Sequence, residues 1–269
     1  MTTRVGFWLY SRQPLAAAAA LEEARQFVHE AEQRLSRFLP ESELSRLNAG
    51  AGNGPRRVSP LLLELVEAAL ALAKVSTGLV DPTVLPALVR AGYGPGNSVG
   101  VIDYQAVEVD REAQTISLPQ ATALDLGGVA KGWLADHIAT TLGRWGSSLV
   151  DIGGDLRARG SRPWPVGVED PLQPGRILLD FDLVEGGVAT SSIARRSWGV
   201  DQHHLIDPRS GTPARTDLWQ TSVFAPTATA AEGAAKAVLL LGCEAGQAYL
   251  GQAGMPAILV RKDARVVRV

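Results

Sequence analysis

Between residues 15 and 39 the apolar positions Leu21, Ala24, Val28, Ala31, Leu35 and Phe38 recur at alternating steps of three and four, with charged residues between them. That period lines them along one helix face and predicts an amphipathic helix over the segment. A second helix is signalled at Ser59-Pro60, a capping hydroxyl followed by proline at the first helical position. The run LLLELVEAALALAK carries it to Ser76-Thr77-Gly78. From 78 to 100, GLVDPTVLPALVRAGYGPGNSVG holds too much glycine and proline for a long element.

Elsewhere the period is shorter. Val5–Tyr10 predicts a strand, AVEVD and TISLP predict a strand pair, and a helix follows from Ala130–Leu142. Between 148 and 226 the segments SLVDIG, WPVGVE, ILLDFDL, GVATSS, HHLID and TSVFAP read as short strands. A last helix over 229 to 241 precedes a terminal hairpin, AILVRKDARVVRV. Helices interspersed irregularly among hairpin-like strand pairs predict an α+β fold, with a largely antiparallel mixed sheet and flanking helices, rather than a doubly wound parallel one. A single domain over residues 1–269 is expected.

Composition narrows the function. With 46% hydrophobic residues in 269, the chain can bury a substantial core. Its 26 Lys+Arg against 28 Asp+Glu leave no broad field for nucleic acid or an anionic membrane, so recognition of anions must be local. Cys243 is the sole cysteine, which excludes an internal disulfide and a cysteine-built zinc site; within VLLLGCEAG it reads as a buried, inert thiol. No membrane span and no export signal is visible, so a soluble, cytoplasmic protein is expected.

Candidate chemistry centres on LDLGGVAKGW, residues 124 to 133. Backbone N–H groups at a helix start attract anions. The phosphate-binding P-loop pattern nevertheless fails, since Gly132 follows Lys131, and GYGPGNSVG puts Asn97 where a dinucleotide fingerprint needs glycine. Taken alone, the turn reads either as a strand-to-helix connection whose glycines supply unusual φ, or as an anion site that offsets the unfavourable lysine at a helix N-terminus. In STGLVDPTV, Asp81 precedes Pro82 in a rigid loop. VATSS presents three hydroxyls after a strand, and HHLIDPRSGTP combines two histidines with a tight turn. His203 and His204 each read equally as a neutral or surface residue or as a catalytic one.

In order and spacing, MTTRV, ESELSRLN, GLVDPTVLPAL, ALDLGGVAKGWLADHIA, LVDIGGDLRARG, VATSS…HHLIDPRSGTP and SVFAPTATAAEGAAKAVLLLG resemble the FAD:protein FMN transferases, the ApbE-like flavin transferases, over nearly the whole chain. The resemblance implies that FAD is the substrate. Its pyrophosphate is cleaved, FMN passes through a phosphoester to a Thr or Ser hydroxyl of an acceptor flavoprotein, and AMP leaves with the assistance of Mg²⁺. It also implies an FAD site assembled from several loops, with Met1 and Phe38 at flavin-site positions. Leu79, Val80 and Asp81 form a loop touching FAD, Asp125 and Lys131 contact the nucleotide, and Thr190 opens a further loop. His204 and Ile206 lie beside the flavin, where His204 takes the hydroxyl proton. The backbone carbonyl of Gly128 matches the family's main-chain metal ligand.

One segment departs from the family. Where its members carry Ala-Asp and, four residues on, Thr as metal ligands, this chain has Glu232 and Lys236. Glutamate keeps a hard oxygen, whereas an ammonium has no lone pair and cannot ligate. Two readings follow. Thr229 and Glu232 form a capping box, with Glu232 and Lys236 an ordinary i,i+4 pair and the metal site lost; or Lys236 stands where Mg²⁺ would and neutralises the pyrophosphate itself. The corresponding functions are an active transferase, or an FAD-binding protein with lost or weak hydrolytic activity.

Overall fold

A computed structural model describes residues 3–194, 197–198 and 202–269. Met1 lies outside the described residues. The helices are α1 (Pro14–Leu35), α2 (Glu43–Ala49), α3 (Pro60–Val75), α4 (Leu85–Arg90), α5 (Ala130–Leu142), α6 (Ala228–Leu241) and α7 (Cys243–Ala253). No helix among the described residues is long and apolar enough to cross a membrane. The chain clusters into two compact units.

The first unit takes in Met1–Gln26, Ala130–Arg196 and Arg215–Val269. Its centre is a seven-stranded sheet in the spatial order Val5–Tyr10, Ser147–Ile152, Asp155–Arg159, Gly186–Ser192, Leu218–Ala225, Ala257–Arg261 and Val266–Arg268. Every neighbouring pair is antiparallel, as the hairpin-like spacing predicts. Helix α6 packs on strands Gly186–Ser192 and Leu218–Ala225 and against α5. Its sequence, ATAAEGAAKAVLLL, is small or apolar nearly all round, so it is buried on most of its circumference, with Ala235 and Val238 in a core shared with Leu218, Leu250 and Leu259.

The start of α6 is fixed from α5. Asp136 accepts hydrogen bonds from Ala228 N (2.9 Å), Thr229 N (2.9 Å) and Thr229 Oγ1 (2.6 Å), while Thr227 caps Ala230 N. Thr229 and Glu232 therefore form no capping box, because the first-turn donors are already satisfied. Gly132 explains its place in the AKG triplet. A Cβ there would lie 2.6 Å from the Ala228 carbonyl oxygen and 2.8 Å from Thr229 N, both rigid backbone atoms of the facing helix. Gly132→Ala is expected to cost about 1–3 kcal/mol through overpacking, read as a lower midpoint in urea unfolding.

The second unit takes in Phe27–Val129 and Ser197–Ala214. Ser59 caps α3 by accepting from Leu62 N, with Pro60 opening the helix as its sequence predicts. A small sheet places Thr115–Ser117 between Arg56–Arg57 and Glu108–Asp110. Leu62, Leu65, Val66 and Ala73 on α3 are buried.

Several elements differ from expectation, helix α2 and strand Asp155–Arg159, which no sequence period announces, among them. Helix α1 ends at Leu35 rather than near residue 39, α4 forms inside the Gly/Pro-rich segment, and α7 follows α6 directly. Gly127 and Gly128 are not among the residues with positive φ, so the turn before α5 does not rest on left-handed backbone.

Candidate functional site

In the first unit a cluster of opposed charges forms where α5, α6 and strand Asp155–Arg159 meet. Lys131, in the first turn of α5, directs Nζ onto Asp155 Oδ2 and, at 2.7 Å, onto Glu232 Oε1. The second Glu232 oxygen accepts from Gly132 N at 2.9 Å. Both carboxylate side chains are only 2% exposed, against 25% for Lys131. Lys236 stands one turn beyond Glu232 on α6, and its charge acts on both carboxylates.

The titration of these groups follows from burial and pairing. Burial alone would lower the Lys131 pKa, yet Asp155 and Glu232 outweigh it and raise the value, so the ammonium stays protonated. Burial, joined by the Glu232 charge, pushes Asp155 up to about 7 against the pull of Lys131 and Lys236. Glu232 is also penalised by burial, but Lys131, Lys236 and the Gly132 N–H together leave it lowered.

This donor set does not fit Mg²⁺. The ion needs about six oxygen ligands in near-octahedral geometry. Here both carboxylates already accept from the Lys131 ammonium, and the position four residues on from Glu232 is a cation that cannot ligate. Gly128 lies in the turn before α5 and belongs to the second unit.

In the second unit the residues gather around a side chain that the sequence does not single out, Arg37. Its side chain is 4% exposed. Nε pairs with Asp125 Oδ2, Nη2 donates to the Tyr93 carbonyl at 3.0 Å, and the guanidinium lies 4.2 Å from the Phe38 ring centroid and 5.2 Å from that of Tyr93. Nη1 is buried and has no hydrogen-bond partner among the described residues. Tyr93 stacks on Trp198 with centroids 5.3 Å apart, meets Phe38 edge-on at 6.0 Å, and lies 6.0 Å from the His204 ring. Trp198 in turn donates Nε1–H to the Ala91 carbonyl. Phe38, Asp125 and His204 are thus brought into one aromatic and cationic cluster.

Backbone clamps hold this cluster to the Asp81 loop. Asn48, from ESELSRLN, donates to the Leu124 carbonyl and accepts from Leu124 N, and Asp125 N donates to the Pro82 carbonyl at 2.7 Å. Asp125 also turns the chain toward α5 by accepting from Gly127 N. The Asp81 carboxylate faces inward, accepting from Thr83 N (2.7 Å), Thr83 Oγ1 (2.6 Å) and Tyr104 N (3.2 Å), and Leu79 and Val80 are buried beside it.

Burial pushes the Asp81 carboxyl above the ordinary aspartate range, against the pull of its Thr83 and Tyr104 donors. The folded chain then holds this proton more firmly than the unfolded one. Its contribution to stability is full below the unfolded pKa and falls as pH rises through the raised folded value. Asp81→Asn is expected to flatten that fall as pH rises above the ordinary aspartate range. It should also lose the Tyr104 N–H bond, worth about 1 kcal/mol, in denaturation curves taken across pH.

The remaining predicted positions have structural partners. Ile206 is buried against Ala87 and Leu88. Thr190 lies within strand Gly186–Ser192, not after it, and shares a hydrogen bond with Ser222 at 2.8 Å. His203 Nδ1 accepts from Leu205 N at 3.3 Å and Nε2 lies 3.1 Å from the Ala214 carbonyl, partners that anchor the ring. Asp155, Arg37, Tyr93 and Trp198 are the additional members of the two clusters. Asp155 stands two residues after the Gly153 of a quoted motif, the one signal that pointed to it.

Comparison with known proteins assigns the chain a lineage. The model of the ApbE family matches residues 1–259. The FAD:protein FMN transferase of Treponema pallidum is 35% identical, covering 96% of this chain and 82% of its own. That of Haemophilus influenzae is 30% identical, covering 82% and 72%. Among solved structures, the ApbE protein of Thermotoga maritima superposes with a TM-score of 0.85 at 24% identity, over 99% of this chain and 93% of that one. The flavin transferase ApbE of Vibrio cholerae gives 0.82 at 25%, over 100% and 94%.

Proposed function

The chain belongs to the ApbE family, and from that premise we propose that it is an FAD:protein FMN transferase, which cleaves FAD and esterifies FMN to a Thr or Ser hydroxyl of an acceptor flavoprotein. The observation that carries this reading is the 35% identity to a relative of that name along 96% of the chain. The alternative of an FAD-binding protein without transfer is not favoured by these matches.

In the reaction, the acceptor hydroxyl oxygen bonds to the phosphorus of the FMN half. The bond from that phosphorus to the bridging oxygen breaks, and its electron pair leaves with AMP. Such phosphoryl transfer depends on positioning and charge neutralisation more than on covalent help. Lys131, held protonated by its carboxylate partners, supplies a fixed positive charge for the phosphates. His204, at the edge of the Tyr93 stack, takes the hydroxyl proton. Phe38, Leu79, Val80, Asp81, Asp125, Thr190 and Ile206 are the positions that the family resemblance assigns to FAD, as it does Met1.

The test couples two readouts. With FAD and an acceptor flavoprotein, one AMP should appear for each FMN ester formed. His204→Ala should slow both by about 10²-fold or more if the imidazole is the general base. Unchanged rates in that variant would assign the proton to another group.

A further inference from the structure

The cluster in the first unit has a charge pattern that a metal site lacks. Asp155 and Glu232 bring two negative charges into a place where each is 2% exposed. Charges so buried require matching positive charge nearby. Lys131 reaches both carboxylates, yet supplies one charge for two. Residues four apart share one helix face, and Lys236 on α6 therefore brings its ammonium to the side from which Glu232 points. Two carboxylates and two ammoniums then balance.

We propose that the Lys236 ammonium takes the place of the divalent cation, so that this chain neutralises its buried carboxylates and the reacting pyrophosphate with its own lysines and transfers FMN without Mg²⁺. The inference rests on the transferase reading and specifies how its charge is managed. A ligand position has become a cation: where an oxygen would donate a lone pair to a metal, an ammonium offers N–H donors to the phosphate oxygens. Acceptor oxygen to phosphorus is the bond formed, and phosphorus to AMP oxygen the bond broken. The negative charge that grows on the departing AMP oxygen is met by lysine N–H groups, and the hydroxyl proton goes to the general base. No metal, oxidant or reductant enters the balance.

Three forms of the full chain test this, the natural protein, Lys236→Thr, which restores an oxygen ligand, and Lys236→Met, which removes the charge and cannot ligate. FAD affinity is read by fluorescence titration, AMP release by chromatography, and metal binding by the electron paramagnetic resonance of Mn²⁺. The natural protein is expected to keep its FAD affinity and AMP release within about two-fold between excess EDTA and millimolar Mg²⁺. Lys236→Thr should lose roughly tenfold in FAD affinity in EDTA and regain it with Mg²⁺, and Lys236→Met should lose the same and regain nothing. AMP release that EDTA abolishes and Mg²⁺ restores in the natural protein would overturn the proposal. If no form binds FAD or releases AMP in any buffer, the transferase reading itself falls, and the Mn²⁺ titration still decides the charge substitution. Binding by Lys236→Thr alone sustains it, and any other pattern overturns it.

Discussion

Lys131→Met is expected to lose about 3–5 kcal/mol of stability and all measurable FMN transfer. The methionine keeps all but the terminal atom of the side chain, including the part that passes 3.5 Å from where a Cβ on Gly153 would lie, so packing changes little. What disappears is a donor shared by Asp155 and Glu232, leaving two buried carboxylates with the charge of Lys236 still acting on them. Removing one partner of a buried ionic set costs far more than the net worth of the pair, because the remaining charge stays desolvated. The sign of the pH dependence is fixed by the same argument. Without Lys131 the Asp155 carboxyl, already raised by burial and by the Glu232 charge, stays above its unfolded value, so the variant should regain stability as the pH falls and Asp155 takes up a proton. Urea unfolding at several pH values measures both effects. A variant as stable as the natural protein at neutral pH would contradict the cluster.

Arg37→Met should cost about 3 kcal/mol by isolating Asp125, whose side chain is 14% exposed. It should also weaken FAD binding by more than about tenfold. The second effect comes from a different atom. Nη1 is buried in an aromatic setting and has no partner among the described residues, a costly state for a donor that an oxygen of bound FAD is expected to relieve. Arg37→Lys separates the two roles. It keeps a positive charge for Asp125 and should recover most of the stability, but it lacks the planar fork that faces Asp125 and Tyr93 on two sides and offers Nη1 on a third. Affinity for FAD should stay low in that variant. Equal FAD affinity in all three forms would leave Nη1 without the assigned role.

The sequence carries the fold where local signals and tertiary packing agree. The Ser59-Pro60 start of α3, the strand Val5–Tyr10, helix α5 and the antiparallel pairing are all legible because each rests on a nearby period or cap. Helix α7 is not, because its first donor is satisfied from afar: Cys243 N bonds Asp217 Oδ1, 26 residues upstream, and Gly242 between α6 and α7 has φ 82°. The buried Cys243 that opens it matches expectation.

The two clusters show the same division. Lys131 and Glu232 stand in recognisable motifs, but their contact spans 101 positions and no periodicity announces it. Arg37 sits in the turn just past the end of α1, and its partners come from residues 38, 93 and 125. Asp136 and Gly132 are unremarkable in sequence and acquire meaning only when α6 packs on α5. Family motifs name the residues; the three-dimensional arrangement shows which of them are tied to one another.

The claim that this chain moves FMN from FAD to a protein is tested most directly by intact and peptide mass spectrometry of an acceptor flavoprotein incubated with the chain and FAD. The expected result is one FMN joined through its phosphate to a single Thr or Ser, with AMP released in equal amount. An acceptor of unchanged mass beside intact FAD, in both EDTA and Mg²⁺, would contradict it.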